Sequence, residues 1–342
     1  MAKTAKDITP EEIIKRAKNN DFSNVYFLHG EEPYYIDVIS DYFENEFMNE
    51  MEKAFNQTVM YGKDVDVYGI INACRRFPMM ADKQLILVKE AQNIAIKELE
   101  KLQSYIENPL SSTVLVLCYK HKKMDGRSKL LKVAKEKHLV FESAPIADYK
   151  LQGWIESYCK SKNINIQPLA CVMLTDFLGN DLSKVVNEID KLLINIKNHA
   201  EITAQHIEKY VGVSREFNTF ELQNAIGAGN FFKAQKIVRY FAANPKENSI
   251  IPVLSSLYNF YGKILAIHNS KDYSEKNIAT VAGVHPFFAK DYVKACNTYP
   301  MDKSIRVIGY LHEFDLKSKG VGSTDISDGS LLKELVFMIM KL

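Results

Sequence analysis

Chemistry in an α/β fold concentrates where strands end and helices begin, and the segment VYFLHG at residues 25–30 ends on Gly30 at such a junction. Cradling a phosphate there takes several glycines, so that consecutive N–H groups can wrap the anion, then Lys and Ser/Thr for the terminal phosphate and Mg2+. Here Gly30 is followed by Glu31, Glu32 and Pro33. Two carboxylates at a helix start suit the helix dipole but repel a triphosphate, and the proline removes an N–H donor. Mg2+ would need an acidic residue at a neighbouring strand end. The runs LILV (85–88) and TVLVL (113–117) lead instead into Lys89-Glu90 and into Cys118, Tyr119, Lys120 and His121. We read Glu90 beside Lys89 as a surface ion pair. The junction has the architecture of an ATPase without its chemistry, so no cofactor is expected.

Other reactive side chains give no catalytic pattern. His29, His121 and His285 have no Ser, Cys or paired carboxylate at a recognisable spacing, and they read as structural. Asp64, Asp66 and Asp82 are scattered over loops and read as solvated carboxylates rather than a two-metal nuclease site. The five cysteines, at 74, 118, 159, 171 and 296, never approach CxxC spacing and read as reduced, mostly buried thiols. Two features point to binding instead. Met79 and Met80 are adjacent apolar residues after a proline and before a strand, so both cannot face one core, and Met is flexible enough to fill a partner's pocket. Between 120 and 137 stand Lys120, Lys122, Lys123, Arg127, Lys129, Lys132, Lys135 and Lys137 against Asp125 and Glu136 alone. Such a run can track a phosphate backbone or can be a solvated helix face. Lys317 and Lys319, near Gly320, are a smaller case of the same kind.

These residues need a scaffold, and 342 residues exceed a single core, so two or three domains are expected. An apolar fraction of 46% and a charged fraction of 25% fit packed globular domains. A formal charge of only +2 means that any DNA contact must be local. The start, MAKTAKDITPEEIIKRAK, lacks the apolar core of a signal peptide, and no uninterrupted apolar run approaches membrane-span length, so a cytoplasmic protein without membrane contact is expected. Up to about residue 145, strand-like runs at Val25–His29, Gln84–Val88, Thr113–Tyr119 and His138–Glu142 alternate with helical spacing. Ile36, Ile39, Phe43 and Phe47 form one helical series, and Ile94, Leu99, Leu102 and Ile106 a looser one. Apolar runs without alternation suit strands covered on both faces. After Pro145 the strand signals stop. Leu151, Trp154, Ile155 and Tyr158 give one helical stripe, Leu169–Leu178 another, and Leu182, Val185, Val186, Ile189, Leu192, Leu193 and Ile196 a third. Thr203 is placed to cap a fourth helix. Residues 212–216 read as a boundary. Beyond it the chain is again helical, broken at Gly229, Asn244-Pro245, Gly283–Pro286, Pro300 and 320–329.

Six segments in order carry a family resemblance: YFLHGEEPYYID (26–37), FPMMADKQLILV (77–88), EIDKL (188–192), FELQNAI (220–226), GVHPFFAKDY (283–292) and FDLKSKG (314–320). Together they resemble the delta subunits of bacterial DNA polymerase III clamp loaders. The resemblance implies an AAA+-like parallel-sheet α/β domain with a degenerate phosphate loop at 1–145, a small helical lid at 146–213 and an all-α helical collar at 214–342. It implies a non-catalytic subunit of the polymerase holoenzyme that binds and opens the beta sliding clamp, with Met79 and Met80 as the clamp-binding wedge. Leu or Phe is commoner than Met at those positions. Implied partners are the clamp, the tau/gamma and delta-prime subunits through the collar, and primer-template DNA. Lys120, Lys122, Lys123, Arg127, Lys129, Lys317 and Lys319 are the candidate DNA contacts. ATP-binding and delta-prime relatives carry a four-cysteine zinc module in their first domain, and the spacing here does not provide one. The competing reading is an ATP-hydrolysing clamp-loader ATPase of the same superfamily with an unusual phosphate loop.

Overall fold

The computed structural model describes residues 8–196, 201–212, 217–246, 248–322 and 326–342. Two compact units divide them. One takes the chain up to Ile146 together with Asp181–Ser183, and the other takes Ala147–Asn180 and Lys184–Leu342.

The first unit runs α1 (Pro10–Lys18), β1 (Val25–Gly30), α2 (Pro33–Asn45), α3 (Glu50–Asn56), β2 (Gln57–Tyr61), α4 (Val67–Cys74), β3 (Gln84–Lys89), α5 (Ile96–Leu99), α6 (Gln103–Ile106), β4 (Thr113–Tyr119), α7 (Lys129–Lys137) and β5 (Leu139–Ser143). Its strands form a five-stranded sheet in the order β2-β3-β4-β1-β5, every pair parallel. The register is continuous: Val25 faces Leu115, and Phe27 faces both Leu117 and Val140. Side chains alternate between two buried layers. Val25, Phe27, Ile86, Val88, Leu115 and Leu117 pack with Ile70, Leu99, Leu102 and Leu130. Tyr26, Leu28, Leu85, Leu87, Val114 and Val116 pack with Ile13, Ile36, Ile39 and Phe43. Each buried Leu, Val or Phe contributes about 1.5–3 kcal/mol by leaving water, which explains why these strands read as unbroken apolar runs.

The expected strands are present to within a residue or so at either end. β2 was not expected from the sequence, because QTVMY is only half-buried at the sheet edge and its apolar signal is short. The looser series at 94–106 is a chain of short helical turns rather than one helix. Phe47 lies beyond the end of α2 but still packs against that layer's core.

The second unit comprises α8 (Asp148–Ser161), β6 (Asn165–Ile166), α9 (Pro168–Leu178), most of α10 (Leu182–Asn195), β7 (Glu201–Ile202), α11 (Ala204–Tyr210), α12 (Thr219–Gly227), α13 (Phe231–Ala243), α14 (Ile250–Ser270), α15 (Glu275–Val281), α16 (Ala289–Thr298), α17 (Met301–Ser318) and α18 (Asp328–Met340). Thr203 caps α11 as expected, its hydroxyl accepting the His206 N–H at 3.3 Å. β6 and β7 form a two-residue parallel pair too short to leave a sequence signal. α14 is long and apolar enough to cross a membrane by length and composition. Its Ile250, Val253, Leu254, Leu257, Phe260, Tyr261, Ile264 and Ile267 recur at helical spacing and are buried among α12, α13, α16, α17 and α18, as in a core helix. The expected boundary between 213 and 214 lies outside the described residues, as do 323–325 within the expected break at 320–329.

Candidate partner-binding site

The sheet's C-terminal edge is where a parallel fold places ligands, and at β1 that edge is closed by its own chain. Gly30 has φ 152°, and a Cβ there would sit 1.9 Å from the Ser143 carbonyl oxygen, so β5 is in direct backbone contact with it. From residue 32 to 34, the backbone N–H groups at the start of α2 have another use or are missing. The Glu32 N–H donates to Ser143 O at 3.3 Å, Pro33 has none, and the Tyr34 N–H donates to the Glu32 carboxylate at 2.8 Å. Glu32 is thereby the buried N-cap of α2, and its burial raises the carboxyl's pKa against the opposing Tyr34 hydrogen bond. The chain after β4 folds over this edge: Lys122 bridges Gly30, and the Met124 N–H donates to His29 Nδ1 at 3.3 Å. His29 is fully buried, and burial pushes its pKa down to about 4.

Neighbouring strand ends offer no cation site. Lys89 pairs with Glu44 on α2, with Asp41 at 4.0 Å, rather than with Glu90 as the sequence suggested. Glu90 has a left-handed backbone and accepts instead from Asn93 Nδ2 at 3.0 Å. Asp66 caps α4 by accepting the Gly69 N–H at 2.7 Å, and Asp64 and Asp82 are exposed. His285 caps the turn that follows it. Among the described residues no group of three or more His, Cys, Asp and Glu is placed to hold a metal ion, and all five cysteines are free and buried.

Met79 and Met80 stand on the loop between α4 and β3, and that loop is anchored at its base and in its middle. Gln84, buried at the start of β3, donates to the Arg76 carbonyl and to Thr113 Oγ1, and Thr113 in turn donates to the Cys74 carbonyl at 2.8 Å. Halfway round, the buried Asn56 at the end of α3 holds Met79 by both main-chain groups. Beyond it Met80 takes a left-handed backbone at φ 51°, rare for a residue with a side chain, and is completely exposed; Met79 is 62% exposed. Phe77 on the same loop is 77% exposed. Met51 and Phe55, on the helix that ends in Asn56, are exposed as well. Sequence reasoning passed over Phe77, Met51, Phe55 and Asn56. Exposed apolar residues one turn apart at 51 and 55 were the available signal for the helix face, and nothing local marks Asn56.

The basic candidates do not form one cluster of free charge. Lys120 pairs with Asp37 at 2.8 Å, Lys123 with Glu142 at 2.5 Å, Arg127 with Asp125 at 2.8 Å, Lys317 with Glu313 at 2.8 Å and Lys319 with Asp315 at 2.6 Å. Lys122 and Lys129 are exposed and hold no carboxylate among the described residues. The pairs exposed on both sides, Arg127 with Asp125 and Lys319 with Asp315, are worth about 0–1 kcal/mol, so a phosphate can compete for them. α7 presents Lys129, Lys132, Lys135 and Lys137 outward over buried Leu130, Leu131 and Ala134.

The junction after β1 of this parallel sheet is thus filled by its own chain, and an exposed apolar tip stands on the fixed loop between α4 and β3. Comparisons with known proteins go further. A family model described as DNA polymerase III, delta subunit, matches residues 26–144, and one described as the C-terminal domain of that subunit matches 216–338. The DNA polymerase III subunit delta of Bacillus subtilis is 26% identical over 337 residues, which cover 96% of this chain and 95% of that one. A solved structure, the Bacillus subtilis DNA clamp loader delta protein, superposes with a TM-score of 0.51 at 24% identity, covering 98% of this chain and 100% of the other. The Thermotoga maritima RuvB Holliday junction branch migration motor superposes with a TM-score of 0.37 at 13% identity, covering 83% of each chain. The two family models together span well over half of the sequence, and the chain belongs to the DNA polymerase III delta subunit family.

Proposed function

We propose that this delta subunit is a clamp-loader component that binds the beta sliding clamp through Met79 and Met80 and opens it for loading onto primed DNA, without hydrolysing ATP itself. The observation that carries the reading is a fully exposed Met80 beside Met79 on a loop fixed at Cys74, Arg76 and Met79, where an apolar tip has no role within its own core. A ring can be opened without fuel at this subunit if the subunit binds the open form more tightly than the closed one. A buried hydrophobic plug supplies such a difference. The Bacillus subtilis protein named as a clamp loader delta protein, aligned along its whole length, supports the same reading through its fold.

On this reading the chain is a non-catalytic, cytoplasmic subunit of a DNA-directed DNA polymerase holoenzyme and works without a cofactor. Residues 1–145 act as the clamp-binding module, 146–213 as a lid and 214–342 as the collar that meets tau/gamma and delta-prime subunits. Primer-template DNA is contacted at Lys120, Lys122, Lys123, Arg127 and Lys129, with Lys317 and Lys319 as secondary contacts. The competing ATPase reading needs N–H groups at residues 31–34 that are free to turn toward a phosphate, and the engaged Glu32 and Tyr34 amides oppose it. Titration calorimetry separates the two: binding of the organism's own sliding clamp with no saturable heat from ATP or ADP supports clamp opening, and micromolar nucleotide affinity sinks it in favour of the ATPase.

A further inference from the structure

We propose that Asn56 is the positioning residue of the wedge, setting the Met79–Met80 loop in its binding conformation before a partner arrives. Asn56 is 4% exposed and spends both ends of its amide on one residue 23 positions away: Nδ2 donates to Met79 O at 3.0 Å, and Oδ1 accepts the Met79 N–H at 2.6 Å. A primary amide carries a donor and an acceptor side by side and so can answer the N–H and C=O of a single extended residue, as a neighbouring strand would. Asp lacks the donor, Ser lacks the reach, and Gln is a methylene too long for the same position. The clasp falls on the residue just before Met80, whose φ of 51° turns the wedge outward. With Met79 held by Asn56, and Gln84 and Thr113 holding the loop base, the side chains meet a partner from a fixed backbone. Ordering costs that would otherwise be charged against binding are met during folding.

The inference rests on the clamp-binding reading, and the test separates the two. Clamp binding is measured on a sensor surface for the full chain, its Met79→Ala/Met80→Ala variant, Asn56→Ala and Asn56→Asp, each from pH 8 to pH 5.5. The introduced carboxyl group is ionised at pH 8: it still accepts the Met79 N–H but cannot donate to Met79 O and repels it, and that repulsion together with burial raises its pKa above the ordinary carboxylate range. Protonated, it again presents a carbonyl that accepts and an O–H that donates, restoring the amide's pattern. A loop that spends about a tenth of its time in the binding conformation binds about tenfold more weakly, so Asn56→Ala is expected to lose about that much at every pH. Asn56→Asp is expected to match that loss at pH 8 and to recover toward the parent chain as the pH falls, with the parent measured at each pH as reference. Hydrogen exchange at the Met79 amide is expected to speed up in Asn56→Ala, which removes the acceptor Oδ1, while strand amides such as Val88 stay protected. Parent-like clamp affinity in Asn56→Ala at all pH values, or in Asn56→Asp at pH 8, overturns the proposal. If the parent chain does not bind the clamp, the clamp reading falls. The clasp then stands or falls on whether Met79 amide protection is lost in Asn56→Ala.

Discussion

A histidine and a pair of methionines show the two extremes of burial among the residues that the sequence singled out. His29 is buried at the sheet edge, where its Nδ1 accepts the Met124 N–H and desolvation keeps the ring neutral. Glu142 partly offsets that effect, while Lys135 and Lys123 add to it. The unfolded chain takes up a proton on this residue below about pH 6.5, whereas the folded form resists until about pH 4. The His29 contribution to stability is therefore fully present above the unfolded pKa and is lost as the pH falls from there toward the folded one. The melting midpoint of the parent chain is expected to drop more steeply across this window than that of a His29→Gln variant; equal slopes would remove His29 from the acid response. Reading His29 as structural needed only the absence of a catalytic partner nearby in sequence. Met79 and Met80 were legible because two adjacent apolar residues cannot share one core. Asn56 was not, since its meaning depends on a contact that only the fold creates.

Elements were legible where burial leaves a long, one-sided signal. The central strands read as apolar runs because helices cover both faces, and α10 read as a helix because its apolar residues fall on one stripe. β2 was missed because an edge strand of half-buried residues has no such run, and the turns at 96–106 blurred because no single helix holds them. The β1–α2 junction was read from Glu31, Glu32 and Pro33 as unsuited to a phosphate by residue type. Its closure by Ser143 and by the chain around Met124 was not legible. That closure makes Gly30 irreplaceable: at φ 152° a methyl group would overlap the Ser143 carbonyl. Gly30→Ala is expected to destabilise the first unit by about 3 kcal/mol or more, read as a lowered melting midpoint. A variant that melts with the parent would mean that β5 moves aside freely, and the junction would then be open to a ligand.

At the scale of the whole molecule, a net charge of +2 leaves DNA attraction to local surfaces, chiefly α7 and the loop before it. The isolated chain is expected to bind duplex DNA weakly, with affinity falling steeply as salt rises, and Lys122→Glu with Lys129→Glu should weaken it further. Tight, salt-insensitive binding in a fluorescence titration would reveal a dedicated DNA site elsewhere. The sequence was read as three domains, at 1–145, 146–213 and 214–342, from the chain length and the stop in strand signals after Pro145. The finer split near 213 depends on residues outside those described. On the proposed reading, what joins these parts into one function is the exposed pair Met79 and Met80. Burying a Met side chain is worth about 1.5–3 kcal/mol, so the Met79→Ala/Met80→Ala variant should lose about 3–5 kcal/mol of clamp binding if the two nearly add. That loss corresponds to roughly 100-fold to several thousand-fold in affinity. Side chains that face solvent leave no cavity when truncated, so circular dichroism and the melting midpoint should match the parent. The decisive measurement is the affinity of the parent chain and this double variant for the sliding clamp on a sensor chip, with melting recorded in parallel. Lost binding at unchanged stability is the expected result, and full-strength clamp binding by the double variant would contradict it.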